Sequence, residues 1–486
     1  MKHSNFEKTV SILQSKNMDL KERSISYHKG MMKIFYIAQL TDRTRLSENV
    51  IKPLVLHCSD FKKAIDAQMT IESVIYADDC MIEQDASKIE AHILSGMVVI
   101  LFSTDDNYIV INLRKVEHRA VTPPQLNYTI RGPQDCFTEN IDTNLSLIRY
   151  RIKDKNIIIE NFEVGQRTKA RVALIYIKDI ANNNVISDIK KRIEDIDVDG
   201  IYESGELQKL LLKNKFNFFP TIGLVERSDM ACSSLIEGKV IILVDGSEIA
   251  LMLPKTFNEF FYSCDDRYDN KYFAQFSRIL RYVCLLVALT ASSLYVAVVS
   301  FHTDILPVEY AISLSQMRSS VPFNSLIGVL LLEFIAELLR EALLRVPKQI
   351  GPAIGIVGAI VIGQAATSAG IFSPLLLILV ATALLASFAL PDYSLMNPFR
   401  ILKLFLILFT GSFGLFGFTL FLTAVLVELV STNSFGVAYM APWAPFNKHD
   451  FKNSILSDPT TDKLRPKYLQ TKDKKRINNS KQKKAR

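Results

Sequence analysis

The sequence lacks the residue patterns that carry most enzyme chemistry. Its six cysteines include no C-x-x-C pair and have no histidine partner at metal-ligand spacing, so a zinc site or a thioredoxin-like centre has no support. It contains no G-x-S-x-G motif, no H-E-x-x-H motif and no G-x-x-x-x-G-K-S/T phosphate loop. We therefore expect reduced, structural thiols, no catalytic residues, no bound metal and no cofactor.

The N-terminus also lacks a secretory signal. Its first residues, MKHSNFEKTV, contain no apolar run of the kind that a signal peptide needs. We therefore expect the N-terminal half of the chain to face the cytoplasm.

Much of the formal net charge of +7 comes from the end of the chain, RPKYLQTKDKKRINNSKQKKAR. A Lys-rich run with few aromatic residues is typical of a disordered segment held near anionic lipid headgroups. It is less typical of a folded face that binds nucleic acid. The sequence therefore predicts a basic, mostly disordered tail over residues 436–486, with membrane lipid and no nucleic acid as its partner.

The composition changes along the chain. Residues 1–275 mix polar and apolar side chains, whereas 282–430 are mostly apolar. Short β-rich runs alternate with helical patterns in the first part, which indicates an α/β fold. The sequence therefore predicts an α/β soluble N-terminal domain, followed by an α-helical multi-pass membrane domain over 276–435.

Two blocks of the N-terminal half recur in the same order. The run KIFYIAQL at 33–40 resembles ALIYIKDI at 173–180, and ILSGMVVIL at 93–101 resembles LIEGKVIIL at 235–243. The glycine in each copy of the second block fits a helix end in a left-handed conformation. We predict two related subdomains at 31–125 and 165–275, after a polar helical lead-in at 1–30. Chance similarity of short α/β patterns is the alternative.

A connector rich in turn formers and charge separates the two blocks, at residues 126–164. Gly132 and Pro133 predict a turn, and Asn140 suits the start of a helix. One glycine does not make a phosphate-binding loop. We predict a hinge or an assembly surface, and its candidate residues are Arg131, Asp142, Arg149 and Arg151.

The C-terminal part has runs that are long enough to cross a bilayer, which takes about 20 apolar residues. The clear spans are 282–301, 372–390 and 404–430, and two further segments, 323–345 and 353–370, bring the total to four or five. Basic residues place the loops near 345 and 400 inside. Five full spans would then put the basic tail outside, against the positive-inside rule, and the sequence leaves this conflict open.

The segment 323–345 carries Glu333, Glu337 and Glu341 at a spacing of four residues. On a helix the three carboxylates share one face. Ionisable groups at membrane depth are costly and indicate a functional position, such as the lining of a cation pore. The alternative is an interfacial amphipathic helix with local pairs such as Glu337 with Arg340.

The glycine-rich segment 353–370 has two interpretations. Small residues allow close helix packing, and they also suit a short helix that lines a narrow apolar constriction. Under the second interpretation, the candidate pore-lining residues are Ile360, Val361, Ile362 and Gln364.

The order of these features resembles the A subunit of the GerA-type nutrient germinant receptors of spore-forming bacteria. The resemblance runs from about residue 30 to 445. It rests on the motifs RGPQDCFTENIDTNLSLIRYR, NFFPTIGLVERSD, DGSEIALMLP, LLEFIAELLREALLRVP, IGPAIGIVGAIVIGQAA and NSFGVAYMAP. One departure is Ser228, where the family pattern has proline.

The resemblance implies a protein of the spore inner membrane that acts with two partners. These are a transporter-like B subunit, which recognises the nutrient, and a lipoprotein C subunit. It also implies a homo-oligomer, a pentamer, that forms a nutrient-gated channel for monovalent cations. A non-conducting signalling or scaffold subunit is the alternative. The sequence does not name the nutrient.

Overall fold

The computed structural model describes residues 20–27, 30–57, 66–103, 105–114, 132–212, 218–345, 363–456 and 463–476. The chain divides into two compact units. Unit 1 consists of residues 1–215, 222–254 and 463–486, and unit 2 consists of 216–221 and 255–462.

The first sheet of unit 1 has five antiparallel strands in the order β1-β2-β4-β5-β3. Every residue of β4 is buried, because the sheet has a packed layer on both faces. The strands are β1 Leu20–Tyr27, β2 Gly30–Ile37, β3 Cys80–Glu83, β4 Val98–Phe102 and β5 Tyr108–Ile111. The helices are α1 (Arg43–Arg45, a π-helical stretch Leu46–Ile51, and Lys52–Leu56), α2 Ala67–Ser73 and α3 Ala86–Leu94.

The second sheet repeats this strand order, as β6-β7-β9-β10-β8. Its strands are β6 Ile157–Val164, β7 Ala170–Ile177, β8 Gly223–Val225, β9 Val240–Val244 and β10 Ala250–Leu253. Its helices are α4 Ile141–Arg151, α5 Asn183–Glu194, α6 Ser204–Leu211 and α7 Ser228–Glu237. α4 and α7 pack on it through a shared apolar cluster that contains Leu145, Ile148 and Leu235.

The predicted duplication is confirmed at the level of single residue pairs. Ile34 of β2 pairs with Ile100 of β4, and Leu174 of β7 pairs with Ile242 of β9 at the equivalent positions. Gly96 and Gly238 each follow a helix with a positive φ, +81° and +101°. Only glycine adopts this conformation without steric cost.

The boundaries of the two copies differ from the prediction. Residues 20–27 form an edge strand paired to β2, so the predicted helical lead-in over 1–30 is wrong for its described part. Strand β6 lies inside the predicted connector, so the second copy begins before residue 165. In each copy the sequence reading missed the first strand, because an edge strand has one solvated side and lacks a continuous apolar run.

The predicted disordered tail is also wrong for its described part. Residues 463–476 belong to unit 1, where the Arg465 guanidinium donates through Nε to the Ile236 carbonyl oxygen at 2.8 Å. The Lys472 amide donates to the Ile180 carbonyl oxygen at 3.0 Å. The Arg465 side chain and the Lys472 backbone amide therefore satisfy carbonyl groups at the end of α7 and in the loop after β7, which composition alone does not reveal.

Unit 2 is mainly helical. Its helices are α8 Lys271–Phe301, α9 Val308–Arg318, α10 Ser325–Arg345, α11 Pro374–Ser387, α12 Tyr393–Ser431 and α13 Lys448–Leu456, with a short helical segment at 363–368. A two-stranded hairpin follows α12, with β11 Asn433–Ser434 and β12 Val437–Ala438. In the described residues, α8 and α12 are long and apolar enough to cross a membrane, whereas the apolar α11 is shorter.

Helix α12 reverses direction at Gly414, which has φ +61° and ψ −144°. The rings of Phe409 and Phe421 lie 5.2 Å apart, whereas the same residues of a straight helix would be about 18 Å apart. Leu395 and Leu429, near opposite ends of α12, share one apolar cluster. α12 is therefore a helical hairpin with limbs 393–413 and 415–431, and the predicted single span 404–430 contains its turn.

Candidate functional site

The three glutamates of α10 lie on one helix face but in different environments. Glu333 is buried, with 4% of its surface exposed, whereas Glu341 is exposed. Glu337 lies between them, with 29% of its side chain exposed. The row therefore runs from the apolar interior of unit 2 to its surface.

The Glu333 carboxylate has partners on two other helices. Its Oε1 atom accepts a hydrogen bond from the Lys403 ammonium of α12 at 2.6 Å. The same atom accepts from the Ser292 hydroxyl of α8, also at 2.6 Å. One buried carboxylate therefore links α8, α10 and the first limb of α12.

Glu337 binds two arginines. Arg400 of α12 contacts its carboxylate through Nε, at 3.1 Å from Oε2, and through Nη2. Arg340, one turn further along α10, donates to Oε1 at 2.8 Å. The local pair between Glu337 and Arg340 that the amphipathic alternative predicted is therefore present, together with a longer-range pair.

Arg340 extends the cluster to α11. Its Nη2 atom donates to the Ser387 hydroxyl at 3.3 Å, and its guanidinium lies over the Phe388 ring, 5.6 Å from the centroid. A small pocket lies beside the cluster. Its polar lining consists of Glu333, Glu337, Arg340, Ser387, Arg400 and Lys403.

We call Glu333, Glu337, Arg340, Arg400 and Lys403 the ion-pair cluster. Transferring an ion from water to a protein interior costs several kcal/mol even after relaxation. Good pairing offsets that cost, and each carboxylate of the cluster has a cationic partner. The cluster therefore holds α10, α11 and α12 together, and it is stable only while both signs of charge are present.

The apolar residues of the predicted constriction, Ile360, Val361 and Ile362, lie outside the described residues. Gln364 is exposed in the short helical segment 363–368. The structure therefore does not bring the constriction and the glutamates together in one described site, and their roles in a pore stay a prediction.

The predicted hinge residues of unit 1 lie in different environments. Arg131 lies outside the described residues. Asp142 forms an exposed pair with Arg171 at 3.3 Å, whereas Arg149 is buried. Arg151 donates through Nε to the Ser228 hydroxyl at 2.8 Å and pairs with Asp135. Arg149 is therefore packed inside unit 1, whereas Arg151 is exposed and joins α4 to α7. A role of these residues in assembly stays a prediction.

Asp135 is the charged centre of this contact between α4 and α7. Burial alone would raise the pKa of its carboxyl group, but hydrogen bonds from Arg151 and Ser228 outweigh that effect and lower the pKa. The Ser228 hydroxyl donates to Asp135 at 2.8 Å. Ser228 therefore supplies a side-chain hydrogen bond that a proline at this position would lack.

Sequence reasoning missed the partners of the glutamates. It used Arg400 and Lys403 only as markers of membrane orientation. Their spacing of three residues and the four-residue spacing of Glu333 and Glu337 are each about one helical turn, so the two pairs can face each other across antiparallel helices. That complementary charge spacing was a signal in the sequence, but it becomes readable only once α10 and α12 are known to pack together.

Comparison with models of known protein families identifies the family of this chain. The model of the Bacillus/Clostridium GerA spore germination protein family matches residues 7–468. The chain belongs to this GerA family. The resemblance noted in the sequence is confirmed, and family membership together with two long apolar helices indicates membrane association.

Individual relatives agree with the family. The chain is 34% identical to spore germination protein KA of Bacillus subtilis, over 91% of this chain and 81% of the relative. It is 35% identical to spore germination protein B1 of the same organism, over 88% of each chain. It also resembles the crystal structure of the N-terminal domain of the A subunit of the Bacillus megaterium spore germinant receptor GerK3. That match has 24% identity and a TM-score of 0.39, and covers 51% of this chain and 94% of that domain.

Proposed function

We propose that this GerA-family chain is the A subunit of a nutrient germinant receptor in the spore inner membrane, and that its oligomer conducts monovalent cations. A transporter-like B subunit binds the nutrient, a lipoprotein C subunit completes the receptor, and unit 1 lies in the cytoplasm. The chain acts without catalysis. The names of its relatives support a role in spore germination.

The observation that carries the conducting role is the buried carboxylate of Glu333, paired with the nearly buried Lys403, inside an apolar helical unit. Ionisable side chains at membrane depth are rare, and they mark ion pathways because apolar side chains would pack there at lower cost. Three carboxylates on one face of α10, repeated by the symmetry of an oligomer, would form rings that concentrate cations.

The ion pairs imply a closed state in this scheme. Lys403 and Arg400 already neutralise Glu333 and Glu337, so these two carboxylates are not available to a permeating cation. Opening must therefore exchange the chain's own cations for mobile ones. A movement of α10 along the first limb of α12 would do this, because it separates both pairs at once.

One observation favours the alternative, a non-conducting signalling or scaffold subunit. The carboxylates of Glu333 and Glu337 have partners within the same chain, and buried polar contacts of this kind also hold membrane helices together. Under this alternative the ion-pair cluster is structural, and it transmits partner binding without forming a path for ions.

A charge exchange separates the two functions. The double variant Glu333→Lys with Lys403→Glu keeps one buried pair but places a cation on α10. If α10 lines the path, purified receptor in liposomes loses cation flux although the protein assembles normally. If the pair is structural, the double variant behaves like the wild type, whereas each single variant loses abundance.

The predicted constriction and the glutamate row are tested by two further variants. Ile362→Ala should widen or wet the closed gate and give spontaneous cation leak, while Glu337→Gln should lower flux with the complex assembled. Normal flux in both variants at normal protein level would remove this region from the pore. No flux from an assembled, nutrient-responsive receptor would favour the signalling subunit.

A further inference from the structure

We infer that unit 2 begins and ends at the same membrane face, so that the chain crosses the membrane an even number of times. This inference concerns the topology of the chain and holds whether or not the chain conducts ions. It resolves the conflict in which five predicted spans placed the basic tail opposite the N-terminal half.

The two ends of unit 2 are hydrogen-bonded to each other. The Phe257 amide, before α8, donates to the Tyr439 carbonyl oxygen, after α12, at 2.8 Å. The Lys255 amide donates to the Ser434 hydroxyl at 3.2 Å. Backbone groups that share a hydrogen bond cannot lie on opposite sides of a hydrocarbon layer about 30 Å thick.

Side-chain contacts also join the start and the end of unit 2. Tyr439 is fully buried, and its ring lies 6.0 Å from the ring of Phe257. The Lys255 ammonium pairs with Asp392 at the start of α12 and lies 4.0 Å from the centroid of the Phe260 ring. The start of α8, the start of α12 and the chain after α12 therefore meet at one end of the unit.

The turn of the α12 hairpin lies at the opposite end. A Cβ atom added to Gly414 would be 3.1 Å from Cγ of Phe301, the last residue of α8. Because α8 begins beside the start of α12 and ends beside its turn, the first limb runs parallel to α8. The second limb must then return the chain to the end where α8 began.

The lengths of the limbs fit two crossings. At about 1.5 Å per residue, the limbs 393–413 and 415–431 measure about 31 Å and about 25 Å, close to the thickness of the hydrocarbon core. A straight helix of 39 residues would measure about 58 Å and would overshoot it. The region predicted as one span therefore supplies two, which changes the parity of the count.

The segment 463–476, which we call the C-terminal clasp, gives independent support. It follows unit 2 in the chain but binds residues of unit 1 that precede unit 2. The Arg476 guanidinium pairs with Glu237 at 3.3 Å, and the Lys472 ammonium donates to the Lys178 carbonyl oxygen at 2.7 Å. These contacts require both ends of the chain to share one compartment.

Cysteine accessibility tests the inference in the full chain. On a background in which the native cysteines are replaced, single cysteines are introduced at the exposed positions Tyr202, Lys448, Asp304 and Phe413. A membrane-impermeant maleimide is applied to intact cells and to inverted vesicles. We expect Tyr202→Cys and Lys448→Cys to react from one side, and Asp304→Cys and Phe413→Cys from the other. Reaction of Lys448→Cys from the side opposite to Tyr202→Cys would overturn the inference.

A cross-link tests the clasp without depending on membrane orientation. In the variant Glu237→Cys with Arg476→Cys, a short bismaleimide should join the two sites within one chain and change its mobility on a denaturing gel. The two single variants are the matched controls and should not change. A double variant that labels fully at both cysteines but forms no cross-link within the chain would contradict the clasp, and with it the shared compartment.

Discussion

The Lys403 ammonium lies 2.6 Å from the Glu333 carboxylate, and both side chains are nearly buried in an apolar helical unit. The pair joins α10 to the first limb of α12, and the Ser292 hydroxyl adds a contact from α8. Removing one member leaves the other as an unpaired charge in a medium where charge is poorly solvated. The cost of a single substitution therefore exceeds the net stability that the pair contributes.

We predict that Lys403→Met lowers the stability of unit 2 by about 3–5 kcal/mol, as measured by thermal unfolding of the purified chain in detergent. The double variant Glu333→Gln with Lys403→Met removes both charges and should recover most of that loss. Lys403→Arg is the conservative control, because it keeps the charge. Equal stability of the single and double variants would show that the pair is not buried.

Gly414 offers a test of the α12 hairpin, and Gly436, which also has a positive φ but no close neighbour, is its control. Their φ angles are +61° and +83°, and a Cβ atom on Gly436 would meet nothing within 4 Å. Gly436→Ala should cost only the left-handed backbone penalty of about 1–2 kcal/mol. Gly414→Ala should cost more, because the added methyl group also presses on Phe301, and thermal unfolding of both variants in detergent measures the difference. A straight α12 predicts that Gly414→Ala is neutral or stabilising.

The sequence revealed the inner strands of both sheets because their signals are local. Buried runs such as 98–102 and 240–244 are continuously apolar, and each follows a glycine that ends a helix. The edge strands β1 and β6 have mixed polarity, and what makes them strands is pairing with a neighbour. That information is non-local, so both were assigned to a lead-in or a connector.

The hairpin and the ion-pair cluster were missed for related reasons. Glycines at 411, 414 and 417 fit an ordinary membrane helix as well as a turn, so composition does not show which one reverses the chain. The row of glutamates was visible from its spacing of four residues. Its neutralisation by Arg400 and Lys403 depends on which helix packs beside α10, and spacing within one helix cannot supply that.

The placement of Arg151 changes what a charge reversal in unit 1 would test. The pair of Arg151 with Asp135 is partly exposed and joins α4 to α7, whereas the pair of Arg171 with Asp142 is more exposed and joins no second helix to α4. Arg151→Glu should therefore destabilise unit 1 and lower protein abundance. Arg171→Glu should change stability by less than about 1 kcal/mol. If the surface near Asp142 serves assembly, Arg171→Glu alone should weaken co-purification of partner subunits at normal abundance.

Asp135 gives unit 1 a defined dependence on acid. Burial opposes ionisation of its carboxyl group, but Arg151 and Ser228 donate to the ionised form, so its folded-state pKa lies below the unfolded value of about 3.9. The stability that Asp135 contributes is complete above that unfolded value and is lost as the pH falls through the lower, folded pKa.

Asp135→Asn removes this contribution, so the variant should be less stable than the wild type at pH 6, and the difference should shrink below about pH 4. Denaturant unfolding of the full chain in detergent measures that difference, and limited proteolysis monitors the unfolding of unit 1. Ser228→Ala should show a smaller change of the same form. Ser233→Ala should show none, because the Ser233 hydroxyl donates to the Met230 carbonyl oxygen within its own helix. A difference between wild type and Asp135→Asn that stays constant from pH 6 to pH 3 would mean that Asp135 is not held ionised by these two partners.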